Sequence, residues 1–175
     1  KDIIRGLLDF SRQRKPDMTV CDVNSLLQGC VSLVEDQALF LNIDMRKEWD
    51  PNLPTAVIDP SQIERVFMNI IINAAEAMEG SGTLTLGTRF DPLEQDIVID
   101  ITDTGPGIAE ENLEKVFDPF FTTKDVGHGT GLGLAISYGI VTKHSGSITL
   151  LSEEGIGTTF SIRLPISLEP VMEGV

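Results

Sequence analysis

The sequence predicts an α+β fold, a two-layer sandwich of one sheet with helices on one face. Three observations carry this expectation. Residues 23–39 and 60–79 repeat apolar side chains at helical spacing. Residues 83–90 and 96–103, and then 146–165, read as strands. Helices and strands are mixed without strict strand–helix–strand alternation, which favours helices stacked on a single sheet. At 175 residues with 41% apolar side chains, the chain is one domain with a sufficient core and room for an appendage.

The elements follow in order. Residues 1–15 place Ile3, Ile4, Leu7, Leu8 and Phe10 on a helical stripe that Pro16 ends, like the tail of a longer helix that packs on a partner. Asp22 caps a second helix, in which Val23, Leu26, Leu27, Cys30, Val31, Val34, Ala38 and Leu39 recur at helical spacing. "NIDMRKEW" and "TAVID" read as strands. Asp59-Pro60-Ser61-Gln62 is a helix start, with Asp at the cap, Pro in the first turn and Gln three after the cap. That helix runs to about Glu79 and stops at Gly80-Ser81-Gly82. "TLTLGTRF" and "DIVIDITD" alternate as neighbouring strands. A short helix is expected over 110–116 and another from about Gly131 to His144. "GSITLLSEEGIGTTFSIRLP" closes as a hairpin. Neither internal repeats nor low-complexity segments occur.

The formal charge of −14, from 27 acidic and 13 basic residues, argues against a nucleic-acid partner. An acidic chain can still bind a nucleotide if Mg²⁺ and local donors supply positive charge. Cys21 and Cys30 lack metal-ligand spacing, and Cys30 falls on an apolar helix face, which suits a buried thiol in a reducing cytosol. Apolar runs are too short to span a membrane, and no leader pattern occurs. The chain starts at Lys1 inside a helical pattern, so a fragment of something longer is expected.

Four segments invite chemistry. "GHGTGLGLAIS" sets glycines at 127, 129, 131 and 133 directly before a helix start. It is neither a GxxxxGK[ST] loop nor a G-x-G-x-x-G fingerprint. A flexible surface loop is one reading. A phosphate site is the other, because first-turn helix amides point outward unpaired. In "FMNIIINAAEAM", Asn69 and Asn73 share a helix face. They are either a buried hydrogen-bonded pair or oxygen ligands for Mg²⁺. In "DITDTGPGI", Asp103 ends a strand beside Gly105 and Gly107. That is either a plain turn or an acceptor for the exocyclic amine of adenine. "GIGTTF" alone is a hairpin turn.

Taken together and in order, Asn69/Asn73, Asp103-x-Gly105-x-Gly107, Phe117-Asp118-Pro119-Phe120-Phe121, Gly129-Thr130-Gly131-Leu132-Gly133 and Gly155-x-Gly157-Thr158 resemble the N, G1, F, G2 and G3 boxes of sensor histidine kinases. The resemblance covers about 22–165. "LLDFSRQRKP", "NAAEAM" and "FDPFFTTK…GTGLGLAIS" look most similar to the nitrogen-regulation type, which carries sensory domains upstream. It implies the Bergerat fold, a mixed and mostly antiparallel sheet backed by helices, with ATP under a lid at 118–130. Asn73 would coordinate Mg²⁺, and Asn69 would support the phosphates. Asp103 would hold the adenine amino group, Gly107 would give room, and Thr158 would hold a linking water. The backbone from Thr130 to Leu132 would meet the phosphates, and Lys124 would be the lid cation. Gly105, Ile108, Phe120, Gly129 and Gly133 complete the implied nucleotide set, and Asn69 and Lys124 the catalytic one. The free lid is expected to hold several conformers.

The resemblance also decides between reactions. Hydrolytic relatives, of the gyrase, chaperone and mismatch-repair types, place a water-activating Glu one turn before the metal Asn. Here Asn69 stands there, and an amide is no general base at neutral pH. Glu76 follows Asn73 and reads as a solvated residue. Phosphoryl transfer to a His is therefore expected, with a related ATPase or a non-catalytic nucleotide- or partner-binding domain as alternatives. Neither His128 nor His144 has the sequence context of a phosphoacceptor. The expected organisation is 1–20 as the end of a dimerisation helix and linker, 21–165 as the catalytic domain and 166–175 as a tail. Expected partners are a His-bearing dimerisation domain and a response-regulator receiver domain. The fragment would be monomeric and its parent a homodimer, with the domain in the cytoplasm and out of direct membrane contact.

Overall fold

Asp22 and Asp59 begin helices as their types demand. In the computed structural model, which describes residues 15–123 and 130–166, both side chains cap first-turn amides. Asp22 takes the Ser25 amide at 3.1 Å and starts α1 (Val23–Val34). Asp59 takes the amides of Ser61 and Gln62 at 3.0 and 3.2 Å and starts α2 (Pro60–Ala77). Before α1, β1 (Thr19–Cys21) pairs antiparallel with β3 (Ala56–Ile58) in a separate two-stranded sheet. The main sheet contains β2 (Asn42–Glu48), β4 (Ser81–Asp91), β5 (Asp96–Asp103), β6 (Ser147–Glu153) and β7 (Gly157–Pro165). Its order is β2-β4-β5-β7-β6, with only the β2–β4 pair parallel. A one-turn α3 (Glu110–Leu113) and α4 (Gly133–Lys143) complete the fold.

One face of the sheet is the core. Leu84, Leu86, Ile97, Ile99, Ile101 and Ile162 are fully buried, along with Leu27 of α1 and Ile63, Phe67, Ile70 and Ile71 of α2. Each side chain of this kind contributes roughly 1.5–3 kcal/mol on burial. The opposite face is polar and ties its own groups together. Ser161 donates to Asp100 at 2.6 Å, Arg89 stands 3.7 Å from Asp100, and the Thr102 and Thr159 hydroxyls are 2.9 Å apart. The expected layers are therefore found.

Several boundaries differ from the sequence reading. The helix expected over 23–39 ends at Val34, and a separate 3₁₀ turn covers Ala38–Phe40. Leu39 and Phe40 pack on the core from that turn, while Ala38 is exposed. The helix expected over 110–116 is Glu110–Leu113, and α4 starts at Gly133 because Gly131 sits at φ +63°, outside helical space. Glu79 (φ +53°) and Gly80 (φ +75°) turn the chain out of α2 into β4, which starts at Ser81. Cys30 is a buried free thiol, as expected, and its burial pushes its pKa up to about 12. Among the described residues, no helix is long and apolar enough to cross a membrane.

Candidate functional site

Asp103 lies at the end of β5, opposite Thr158 of β7, in the middle of the sheet. It is only 5% exposed. The Gly105 amide donates to its Oδ1 at 2.8 Å. Burial pushes its carboxyl pKa up, and hydrogen bonds from the Gly105 and Thr158 amides only partly offset this. The result is a fixed, poorly hydrated acceptor at a strand end, suited to a neutral N–H donor. A Cβ at Gly107, where φ is +72°, would overlap the Glu153 carbonyl. The room this glycine makes is thus taken by the end of β6. Ile108 donates its amide to Ser152 Oγ at 2.8 Å, and the same hydroxyl lies 2.8 Å from Thr158 Oγ1. The loop after β5 is thereby pinned to the β6–β7 hairpin.

A second group of residues gathers at the start of α4. Phe120 is 61% exposed with φ +70°, and its amide donates to the Gly131 carbonyl at 2.8 Å. A Cβ at Gly131 would overlap the Phe120 backbone, so only glycine fits both the angle and the space. Thr130 Oγ1 accepts from the Leu132 amide at 3.4 Å, and Leu132 is buried. Residue 132, at the cap position of α4, offers no side-chain hydrogen bond, unlike Asp22 and Asp59. The first turn of α4 therefore has no cap side chain of its own. Asn69 of α2 meets this turn. A Cβ at Gly133 would run into Asn69 Oδ1, while Asn69 Nδ2 donates to Ser137 Oγ of α4 at 3.0 Å.

Helix α2 joins the two groups. Asn69 abuts the start of α4, and two turns on, the Ala77 carbonyl stands 3.4 Å from a Cβ placed on Gly105, beside Asp103. Asn73, half-buried, lies between them on the same helix. The Asn69–Asn73 pair is thus not a private hydrogen-bonded unit, since Asn69 donates to another helix. Glu76 is exposed. Lys124, His128 and Gly129 lie outside the described residues, as do residues 124–129 of the expected lid as a whole. His144 is buried in the fold.

Sequence reasoning missed Ser137 and Ser152. Both are single serines, and only the packing of α4 on α2, and of the loop after β5 on β6, reveals their partners. Among the described residues, no cluster of His, Cys, Asp and Glu could hold a metal ion.

A mixed sheet backed by helices, a buried carboxylate at a central strand end and an uncapped helix start joined by one asparagine-bearing helix define an ATP-binding domain of the Bergerat type. Residues 58–168 match the family described as histidine kinase-, DNA gyrase B- and HSP90-like ATPase. This chain belongs to that family. It is 38% identical to the sensor kinase CckA of Brucella abortus over 180 residues, 95% of this chain and 19% of that protein. It is 37% identical to the signal transduction histidine-protein kinase AtoS of Escherichia coli over 166 residues, 94% of this chain and 27% of that protein. The chain thus spans about a fifth to a quarter of these relatives. In structure it resembles the catalytic domain of the histidine kinase ThkA, with 32% identity, a TM-score of 0.76 and coverage of 86% of this chain and 96% of that one. It also resembles ThkA in complex with the response regulator protein TrrA, at 28% identity and a TM-score of 0.80, covering 95% of this chain and 47% of that one. The chain is a catalytic ATP-binding domain of the sensor-histidine-kinase kind.

Proposed function

We propose that this domain binds Mg²⁺·ATP and transfers the γ-phosphoryl group to a histidine of a dimerisation domain, for onward transfer to a response-regulator aspartate. The acceptor ring nitrogen attacks the γ-phosphorus, the bond to the β,γ-bridging oxygen breaks, ADP leaves, and the ring gives up its N–H proton. Asp103 accepts from the adenine amine, and Gly105, Gly107, Ile108 and Thr158 shape that end of the site. The backbone from Thr130 to Leu132 and the first-turn amides of α4 receive the phosphates beside Asn69, with Phe120 at the same end. Gly129 would belong to the same set. Lys124 would approach the terminal phosphate.

The observation that carries this reading is the uncapped start of α4 packed against Asn69. Asn69 also carries the choice of reaction. Its amide cannot take a proton from water, and its nitrogen already donates to Ser137. What remains is positioning and electrostatics, which suffice for phosphoryl transfer. Mg²⁺ takes hard oxygen ligands and shares them with substrate phosphates. The Asn73 amide oxygen is a donor of that kind. When bound, the ion neutralises charge on the phosphates.

His144 does not suit the acceptor role, because it is 3% exposed and both ring nitrogens are engaged within the fold. The phosphate is therefore expected to go to another domain. We assign residues 1–20 to the end of a dimerisation helix and linker, 21–165 to the catalytic domain and 166–175 to a tail. We place the domain in the cytoplasm, monomeric as this fragment and dimeric in its parent, which we assign to the nitrogen-regulation type by its boxes. The test uses ATP labelled at the γ-phosphate, with and without the parent's dimerisation domain. We expect an acid-labile phosphohistidine on the added domain and slow release of free phosphate without it. Rapid phosphate release by the chain alone would favour the ATPase alternative.

A further inference from the structure

His144 ends α4, and its ring reaches the start of α2. The Asp59 amide donates to Nε2 at 3.0 Å, and Nδ1 lies 2.8 Å from the Ile140 carbonyl. A backbone N–H can only donate, so Nε2 carries the lone pair and Nδ1 the proton. The sequence at 59–62 predicts a capping box, in which Gln62 would return to the Asp59 amide. Instead, Gln62 Nε2 bonds the Asp59 carboxylate at 3.1 Å, and His144 takes the amide from another helix. A bond that is ordinarily local has become a tie between two helices.

The same two helices are tied again by Asn69 and Ser137 at 3.0 Å. Ser137 and His144 are seven apart on α4 and so share a face. Their partners on α2 run in the opposite order, which makes the helices antiparallel. Between the ties, Ile140 and Val141 of α4 are buried in the same apolar core as the side chains of α2, and hydrophobic contact has no preferred direction. The hydrogen bonds are what fix how far α4 slides and turns against α2. We propose that His144 is a positioning residue for the nucleotide site, acting through Asp59 to hold the uncapped start of α4 in register with Asn69 and Asn73. This rests on the ATP site described above.

The test uses the full 175-residue chain and two amide variants. A Gln at 144 can reach where Nε2 stands and accept from Asp59. An Asn is shorter, reaches only where Nδ1 stands, and loses the tie while keeping the bond to Ile140. Mg²⁺·ATP affinity is measured by calorimetry, and thermal unfolding without nucleotide is followed alongside. We expect His144→Asn to bind at least ~10-fold more weakly and His144→Gln to stay within ~3-fold of the parent chain. A purely structural histidine would lower the unfolding temperature of both variants without separating their affinities, and that result overturns the proposal. Asp103→Asn is the control. If the parent chain does not bind ATP, or that variant binds equally well, the nucleotide reading itself fails. If both hold and His144→Asn binds like the parent chain, only the positioning role fails. Should His144→Asn not fold, the ring ¹⁵N signals of the parent chain decide. The Nδ1–H tautomer, with an Nε2 signal that moves on adding Mg²⁺·ATP, supports the role. An Nε2–H tautomer, or a signal indifferent to nucleotide, overturns it.

Discussion

Asp103 carries a conflict between stability and binding. Its carboxyl pKa is raised because burial penalises the charge, and the amides of Gly105 and Thr158 do not fully compensate. A carboxyl raised by folding favours the fold fully below its unfolded value of about 3.9, and that contribution is lost as pH rises through the folded pKa. At neutral pH its ionisation therefore works against the free domain. Asp103→Asn is expected to leave unfolding at pH 7 unchanged or slightly improved, while weakening ATP ~10- to 100-fold, the worth of a hydrogen bond to a charged acceptor. In the parent chain, affinity should fall as pH drops, with a midpoint above that of an unperturbed Asp. Calorimetry across pH checks both, and a flat profile would remove Asp103 from the adenine contact. This residue was legible because a strand-ending Asp beside two glycines makes a local pattern. Ser152, which pins Ile108 and Thr158, left no such pattern. Its partners are distant in sequence, and a serine on an edge strand is otherwise ordinary.

Helix α2 depends on its cap residue, Asp59, more than an N-cap usually requires. The Asp59 carboxylate accepts from Ser61, Gln62 and Asp17, and its amide is held by His144. Burial pushes its carboxyl pKa up, yet the hydrogen bonds from Asp17, Ser61 and Gln62 outweigh that and hold it below the ordinary value. A depressed carboxylate contributes stability that is present above its unfolded pKa, about 3.9, and lost as pH falls through the folded one. Asp59→Ala should therefore cost about 1–2 kcal/mol at pH 7. The difference from the parent chain should shrink below pH ~4. Urea unfolding at pH 7 and at low pH measures it, and a cost unchanged by acid would mean that the ionised cap is not its source. The starts of α1 and α2 were legible because caps are local chemistry. The end of α1 was not, because Ala38 and Leu39 keep the helical period although both stand in a separate turn, from which Leu39 packs on the core and Ala38 faces out. The three-residue strand β1 was missed for a related reason, since its mostly exposed side chains give no alternation. It is specified by its partner β3.

The placing of a nucleotide site in an acidic chain has a kinetic consequence. The formal charge is −14, while the site offers amides, an uncapped helix start and the Asn73 side chain, all neutral or only partly positive. The nucleotide thus approaches through a field of its own sign and is held only by short-range donors once inside. Screening weakens the long-range repulsion over a Debye length of roughly 8–10 Å near physiological salt, and acts much less on contacts within the site. The association rate of Mg²⁺·ATP should therefore rise with ionic strength at fixed free Mg²⁺, while the dissociation rate changes little. That is the reverse of the dependence shown by electrostatically attracted pairs. Stopped-flow measurement with a fluorescent ATP analogue from low to physiological salt checks it. An association rate that falls with salt would mean that a local positive field dominates the approach. Lys124 of the expected lid would then be the first residue to replace, since Lys124→Gln should restore the rise if that cation is the source.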